Sequence, residues 1–540
     1  MAPQLRYVLL SPSPMAQARP HLLRRAVAWP ATTCTLPTPK GLHRTINPLR
    51  SVACSSDVTN PPRRKGSMAD VPKDLMDCIT DLEKLFTVDK QRINELCDEF
   101  VKEFEKGLTE EGSSIPQLPT WVLGFPNGEE KGTYLALDMG GTNLRVCEIT
   151  LMGHGKFDIL QSKYRMDPSV KTSTAEELFG YIADCLKQFV HDHHEGVVKE
   201  ELHLGFTFSY PCDQHAIDHG ILQRWTKGFD VKGVEGVDVV PLFEAALKEK
   251  GVPIKLTALI NDTTGALIAS NYAHPDTKMG VIFGTGCNAA YMEVAENIPK
   301  VAKHNLPPDT PMAINCEWGA AFSDRPDVLP RTKYDVIIDK ESPRPGQQAF
   351  EKMIAGLYLG EVFRLALLDL HQQGHIFLGQ SVAKLQTSYT IDTEILSLIE
   401  LDPFENLRET IDVLETKLGI QCNEQEAKLV RRLAELIGTR SARLSACGVA
   451  AIAKKAGLTK CKVGADGSVF NLYPHFKARG AEALRDIFGD AGDDIDIVHA
   501  EDGSGVGAAL IAALTLERVK AAGLSRECML RKGVSHAAVS

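Results

Sequence analysis

Apolar residues recur at three-and-four spacing in LMDCITDLEKLFTV (75–88) and again in QRINELCDEFVKEFEKGL (91–108). That period predicts two amphipathic helices. The next stretch, IPQLPTWVLGFPNGEEKG (115–132), is rich in proline and glycine and reads as a connector. TYLALDM, LRVCEITLMG and KFDILQSKYR then predict three strands, AEELFGYIADCLKQFV a helix, and ELHLGFTFSYP a further strand. A β-β-β-α-β order of this kind implies an α/β protein, a mixed sheet with helices packed on it.

Several of the predicted strands end on glycine. LALDMGGTNLRV (135–146) places Asp138 at a strand end, breaks at Gly140, Gly141, Thr142 and Asn143, and resumes as a strand. MGVIFGTGCNAAYMEV (279–294) repeats the design around Gly284, Thr285 and Gly286. Glycine permits a tight hairpin, and the N–H groups of such a turn can also hold a phosphate. Two similar turns about 140 residues apart suggest two similar halves, one at each side of a cleft. A third cluster, AEDGSGVGAAL (500–510), precedes an alanine-rich helix, a place that can bind anions. Between the first two lies IKLTALINDTTGALIASNY (254–272), where an apolar strand ends in Asn261-Asp262 and a helix follows. By spacing, Asp262 reads as a helix N-cap; by position, as a strand-end residue facing a cleft, where α/β proteins put chemistry.

The 540 residues leave room for a large core and two to four domains. A formal net charge of −10 argues against non-specific binding of nucleic acid. Thirteen scattered cysteines without paired C-x-x-C sets fit a reducing compartment better than a zinc site or a disulfide scaffold. No apolar run is long enough to span a membrane. Residues 1–67 stand apart: they carry no acid before Asp57, many arginines, and frequent proline and serine. That composition predicts a disordered extension or a mitochondrial targeting segment, with Met68 opening the globular text.

LGFTFSYP, WTKGF, INDTTG, FGTGCNAAY, NCEWG and GQQAFEKMIAGLYLGE occur in that order. In this the chain resembles the hexokinases, the ATP-dependent hexose kinases of eukaryotes, and most of all the single-unit fungal ones, from about Leu75 to Val519. The resemblance implies the two-lobed, RNase H-like fold shared with actin and the Hsp70 ATPase, with a central cleft. It implies lobes over 68–275, leading helices included, and 276–525, with the last helix returning to the small lobe and a tail over 526–540. One departure is an extra alanine at 320 or 321, just after NCEWG.

The resemblance also implies roles. Asp262 is the catalytic base, and Lys227 steadies the transferring charge. Ser209, Tyr210, Thr226, Lys227, Asn261, Asp262, Asn288, Glu317 and Glu351 bind the sugar. Asp138, Gly140, Gly141, Thr142, Asn143, Arg145, Gly284, Thr285 and Gly286 hold the phosphates, with Asp138 on Mg²⁺ through water. Gly356, Thr393, Ser397, Ser468, Leu472, Ser504 and Gly505 lie on the nucleotide side. By spacing alone Lys227, Glu317 and Glu351 are ordinary surface charges; the order of the whole set gives them meaning. The implied activity is transfer of phosphate from MgATP to the 6-hydroxyl of glucose, fructose or mannose, the first step of glycolysis. The implied setting is a cytoplasmic monomer or homodimer. A nucleotide-driven switch on the same fold would not need the sugar set, and a sugar sensor would lose its catalytic carboxylate or a phosphate turn.

Overall fold

Large and small apolar residues alternate along the strand β2 (Lys131–Met139), and the two faces of its sheet are covered accordingly. Leu135 and Leu137 point into a core shared with helices α3 (Ala175–His193) and α4 (Val239–Glu249). Ala136, between them, points into a second core against helices α5 (Asp262–Ala273) and α15 (Ala508–Ala521). The computed structural model describes residues 68–109, 112–139, 143–194, 201–226, 229–500 and 502–521. The predicted extension over 1–67 and tail over 526–540 lie outside the described residues.

This first sheet runs β4 (Lys156–Arg165), β3 (Asn143–Gly153), β2, β5 (Leu202–Thr207), β8 (Ile254–Ile260). The first three strands are antiparallel neighbours; β2, β5 and β8 are parallel. A short pair, β6 (Cys212–Asp213) with β7 (Ile221–Leu222), lies beyond β5 in sequence. The second sheet has six strands, in the order β1 (Leu118–Leu123), β11 (Pro311–Asn315), β10 (Cys287–Val294), β9 (Thr277–Phe283), β12 (Cys461–Asp466), β13 (Ile495–His499). Here β9, β12 and β13 are parallel and the rest antiparallel.

Between β11 and β12 the chain is helical: α6 (Lys333–Glu341), α7 (Glu351–Ile354), α8 (Gly356–Gln372), α9 (Ala383–Gln386), α10 (Thr393–Leu401), α11 (Arg408–Val413) and the 32-residue α12 (Glu424–Lys455). Helices α13 (Ser468–Leu472) and α14 (Phe476–Phe488) separate β12 from β13. Met279, Val281 and Phe283 of β9 face the helical core, whereas Ala290 of β10 and Ala313 of β11 face α5. Small residues let α5 come close: a Cβ on Gly280 would lie 2.4 Å from backbone atoms of Thr263 and Leu267. Helix α5 is buried on nearly every side between the two sheets, which explains its lack of a polar face. These features give the mixed α/β, two-lobed arrangement expected from the motifs.

Two expectations are corrected. The leading helices α1 (Lys73–Phe86) and α2 (Lys90–Thr109) do not join the first lobe. Their apolar stripes, Leu75, Ile79, Leu82 and Phe86, then Ile93, Leu96, Phe100 and Phe104, bury in the core of the second sheet against α12 and α14. An apolar stripe demands cover but does not say which surface supplies it. The connector at 115–132 also contains the strand β1, paired antiparallel to β11 at the sheet edge. Pro119 and the left-handed Trp121 (φ 61°) interrupt its register, so its pattern is not that of a regular strand. Helix α15 packs on β2, β5 and β8 of the first sheet. No helix among the described residues is long and apolar enough to cross a membrane.

Candidate functional site

Three parallel strands of the first sheet end side by side, and each end carries polar groups, as ligand sites in open α/β sheets do. Near the end of β2, Asp138 pairs in register with Arg145 of β3 and Thr207 of β5. Strand β5 runs on into Ser209 and Tyr210, both buried. Strand β8 runs on into Asn261 and Asp262. Asn261 is the N-cap of α5: its Oδ1 accepts from the Thr263 backbone N–H at 2.9 Å and hydroxyl at 2.6 Å. The capping role read for Asp262 therefore belongs to its neighbour. Asp262 occupies the first helical position, half-buried, where the helix dipole favours a carboxylate. Its Oδ1 accepts from Thr263 N at 2.9 Å, and among the described residues its Oδ2 accepts no hydrogen bond.

The second sheet brings Asn288 against this helix start. The Asn288 amide donates to Asn315 Oδ1 at 2.8 Å, to Glu317 Oε1 at 3.2 Å and, across the lobes, to Asn261 Oδ1 at 3.4 Å. Its Oδ1 accepts from the Glu317 backbone N–H at 3.0 Å. Asn315 donates to Glu317 Oε1 at 2.9 Å. Glu317 sits in the left-handed region (φ 54°), a strained place for a residue with a side chain, and these bonds hold it there. Glu351 joins through Oε2, which accepts from Cys287 N at 2.9 Å. Gly286 makes that approach possible, because a Cβ there would lie 2.7 Å from the same oxygen. Asn315, the first residue of NCEWG, ends β11 and enters this network because β11 pairs with β10, a pairing the motif itself does not reveal.

A small cavity opens between the lobes, lined by Leu118, Phe208, Tyr210, Leu259, Asn261 and Asn315. Trp225 meets Tyr210 edge-on, ring centres 4.8 Å apart, which brings the neighbouring Thr226 to the same region. Burial pushes the Tyr210 phenol well up, with Asp138 adding to it, so the group stays neutral. Lys227 lies outside the described residues.

The turn Gly284–Gly286 is stitched to its surroundings by backbone. Gly284 N donates to Gly286 O at 3.0 Å, Gly356 N donates to Gly284 O at 2.8 Å, and Leu357 N to Thr285 O at 3.3 Å. Gly467 (φ 110°) closes in from β12, where a Cβ would lie 2.5 Å from the Phe283 carbonyl. Of the other turn, Gly140, Gly141 and Thr142 lie outside the described residues, while Asn143 opens β3. Arg145 makes a bidentate pair with Asp502, at 2.8 and 2.5 Å, and stands 3.7 Å from Asp138. Burial opposes its charge, but the bonds to Asp502 outweigh that and raise its pKa. Asp502, not foreseen, also accepts from Gly505 N at 3.0 Å, and Ser504 O accepts from the Thr207 hydroxyl at 2.8 Å. Ser504 and Gly505 thus have these bonds beside the first sheet. On the other flank, the Thr393 hydroxyl donates to Gly356 O at 2.6 Å and the Ser397 hydroxyl to Leu472 O at 3.4 Å. Ser468 opens α13, and Leu472 at its end is 73% exposed.

One side of the cleft therefore gathers amides and carboxylates in the density a polyhydroxyl compound requires. The other side gathers glycine turns suited to phosphate, and Asp262 stands at the strand end between.

Two family models, both described as Hexokinase, match the chain, one over residues 78–272 and the other over 278–514. The Hexokinase of Emericella nidulans is 62% identical over 467 residues, covering 85% of this chain and 95% of that protein. Hexokinase-2 of Saccharomyces cerevisiae is 51% identical over 468 residues, covering 85% and 96%. Among solved structures, a hexokinase from Schistosoma mansoni complexed with glucose superposes with a TM-score of 0.76 at 33% identity, covering 82% of this chain and 99% of that one.

Proposed function

The chain belongs to the hexokinase family and is a hexose-phosphorylating enzyme; on that premise we propose that ATP is the donor, the sugar 6-hydroxyl the acceptor and Asp262 the general base. The observation that carries this is the position of Asp262, at a strand end beside the Asn261–Asn288–Asn315–Glu317 network, with Oδ1 tied to Thr263 N.

Ser209, Tyr210, Thr226, Asn261, Asn288, Glu317 and Glu351 would bind and orient the hexose, and Lys227 would steady the transferring charge. Asp262 would take the 6-hydroxyl proton as that oxygen attacks the terminal phosphorus, and the bond to ADP breaks. Fixing both reactants in line supplies much of the rate, since little covalent chemistry is asked of the protein.

The chain also fits Mg²⁺ with a polyphosphate. Asp138 offers a half-buried carboxylate beside Arg145, and around the Gly284–Gly286 turn Gly356 and Gly467 pack so closely that a Cβ would lie 3.0 Å from Gly284 O and 2.5 Å from the Phe283 carbonyl, respectively. Asp138 would hold the ion through water, and the ion would neutralise charge on the phosphates. Gly284–Gly286, Asn143 and Arg145 would bind the phosphates, and Thr393, Ser397, Ser468 and Leu472 the nucleoside.

The test is ADP formation from MgATP with glucose, fructose, mannose and no sugar. ADP release that depends on each hexose is the expected result. Nucleotide hydrolysis indifferent to sugar would contradict the reading.

A further inference from the structure

Beneath the flank formed by α10 and α13 lies a buried ionic cluster. Glu400, in the last turn of α10, is 3% exposed, Arg479 of α14 is 4% exposed, and Tyr473, just after α13, is 5% exposed. The Tyr473 hydroxyl donates to Glu400 Oε1 at 2.7 Å. The Arg479 guanidinium donates to both oxygens, at 3.3 and 2.5 Å. Arg431 of α12 donates to the Glu400 carbonyl at 3.0 Å. One carboxylate thus ties α10 to the end of α13 and to α14.

The outer face of this arrangement carries Thr393 and Ser397, two turns and one turn before Glu400 respectively, with Leu472 immediately before Tyr473. The first turn of α10 is in turn bonded to Gly356, and Gly356 to Gly284 of the phosphate turn. A shift of α10 against α13 would therefore move Thr393 and Ser397 relative to Ser468 and Leu472, the residues proposed to meet the nucleoside. Buried charge is a costly way to join helices when apolar packing would serve, and its retention is understandable where a fixed geometry is needed.

We infer that Glu400, Tyr473 and Arg479 are positioning residues that set the spacing of α10 and α13 and thereby the affinity for the nucleoside part of ATP. The inference rests on the reading of those two helices as the nucleotide side. None of the three touches the reacting atoms, so they govern nucleotide binding and leave sugar binding and turnover at saturation alone.

Two variants disturb the cluster without removing a charge. Tyr473→Phe deletes one hydrogen bond to Glu400. Gly438→Ala on α12 places a Cβ 2.5 Å from the Tyr473 ring and 2.8 Å from Glu400 Oε1, pressing on the same joint from behind. Each is expected to raise KM for MgATP about three- to tenfold. KM for glucose, and kcat at saturating MgATP, should stay within about twofold. Leu472→Asp, on the exposed flank, reports on the nucleotide-side reading itself, and glucose-induced stabilisation in thermal melts verifies that each variant is folded. If Leu472→Asp raises KM for MgATP while both buried variants leave it within about twofold, the positioning inference is overturned and the nucleotide side stands. If Leu472→Asp leaves it unchanged as well, the nucleotide-side reading fails and takes the inference with it. Equal increases in KM for both substrates, with a lower Tm, would assign the cluster to stability alone and overturn the inference.

Discussion

Asn315 shows how a residue can be in plain view and still be missed. It donates to Glu317 and accepts from Asn288, and so connects two residues with foreseen sugar contacts. Nothing about an asparagine preceding CEWG announces that; the role appears only when β10 and β11 lie side by side. Asn315→Ala removes both bonds and leaves Asn288 to hold Glu317 in its left-handed backbone. An increase in KM for glucose of about fivefold to thirtyfold is expected, with KM for MgATP little changed. Steady-state kinetics varying each substrate in turn would check it. The opposite lesson comes from Asn261 and Asp262. The INDTTG motif marked both, but only the geometry separated the cap from the acid beside it.

At the level of elements, strands bounded by glycine turns were legible because their period and punctuation agree. The helices α1 and α2 were legible as helices, and their partner surface was not. One consequence is that α2 anchors the loop after Glu317. Arg325 pairs with Glu99 at 2.7 Å and with the buried Glu103 at 3.1 Å, and Phe322 N donates to the Ser114 hydroxyl at 3.0 Å. The extra alanine falls in this loop, in a 3₁₀ turn over Trp318–Ala320 closed by Ala321 N donating to Trp318 O at 2.9 Å. Burial raises the pKa of Glu103, but Ser113, Ser114 and Arg325 outweigh it and hold the carboxyl below its usual range. A depressed carboxylate stabilises the fold above its unfolded pKa, and that contribution fades as pH falls through the folded value. Glu103→Gln should therefore cost roughly 1–3 kcal/mol at neutral pH. The gap in urea midpoint between it and wild type should narrow below about pH 4. Urea titrations of both proteins from pH 7 downward would show this; a gap independent of pH would contradict it.

For the whole molecule, the amide network crosses from one sheet to the other, so a sugar seated there touches both lobes. Glucose should raise Tm by more than MgATP alone, following its affinity and concentration. Thermal melts with glucose, with MgATP and with neither would test that, and a shift with nucleotide but with no hexose would contradict it. On the proposed function, Asp262, at the start of the buried α5, stands where the sugar and the phosphates would meet. The most direct test of that claim is Asp262→Ala, with kcat and urea midpoint measured on the same preparation. Because Asn261 carries the cap, the midpoint should barely move, while kcat falls by about 10²–10⁴-fold. A kcat within about threefold of wild type, less than about 0.7 kcal/mol of barrier, would show that Asp262 is not the base.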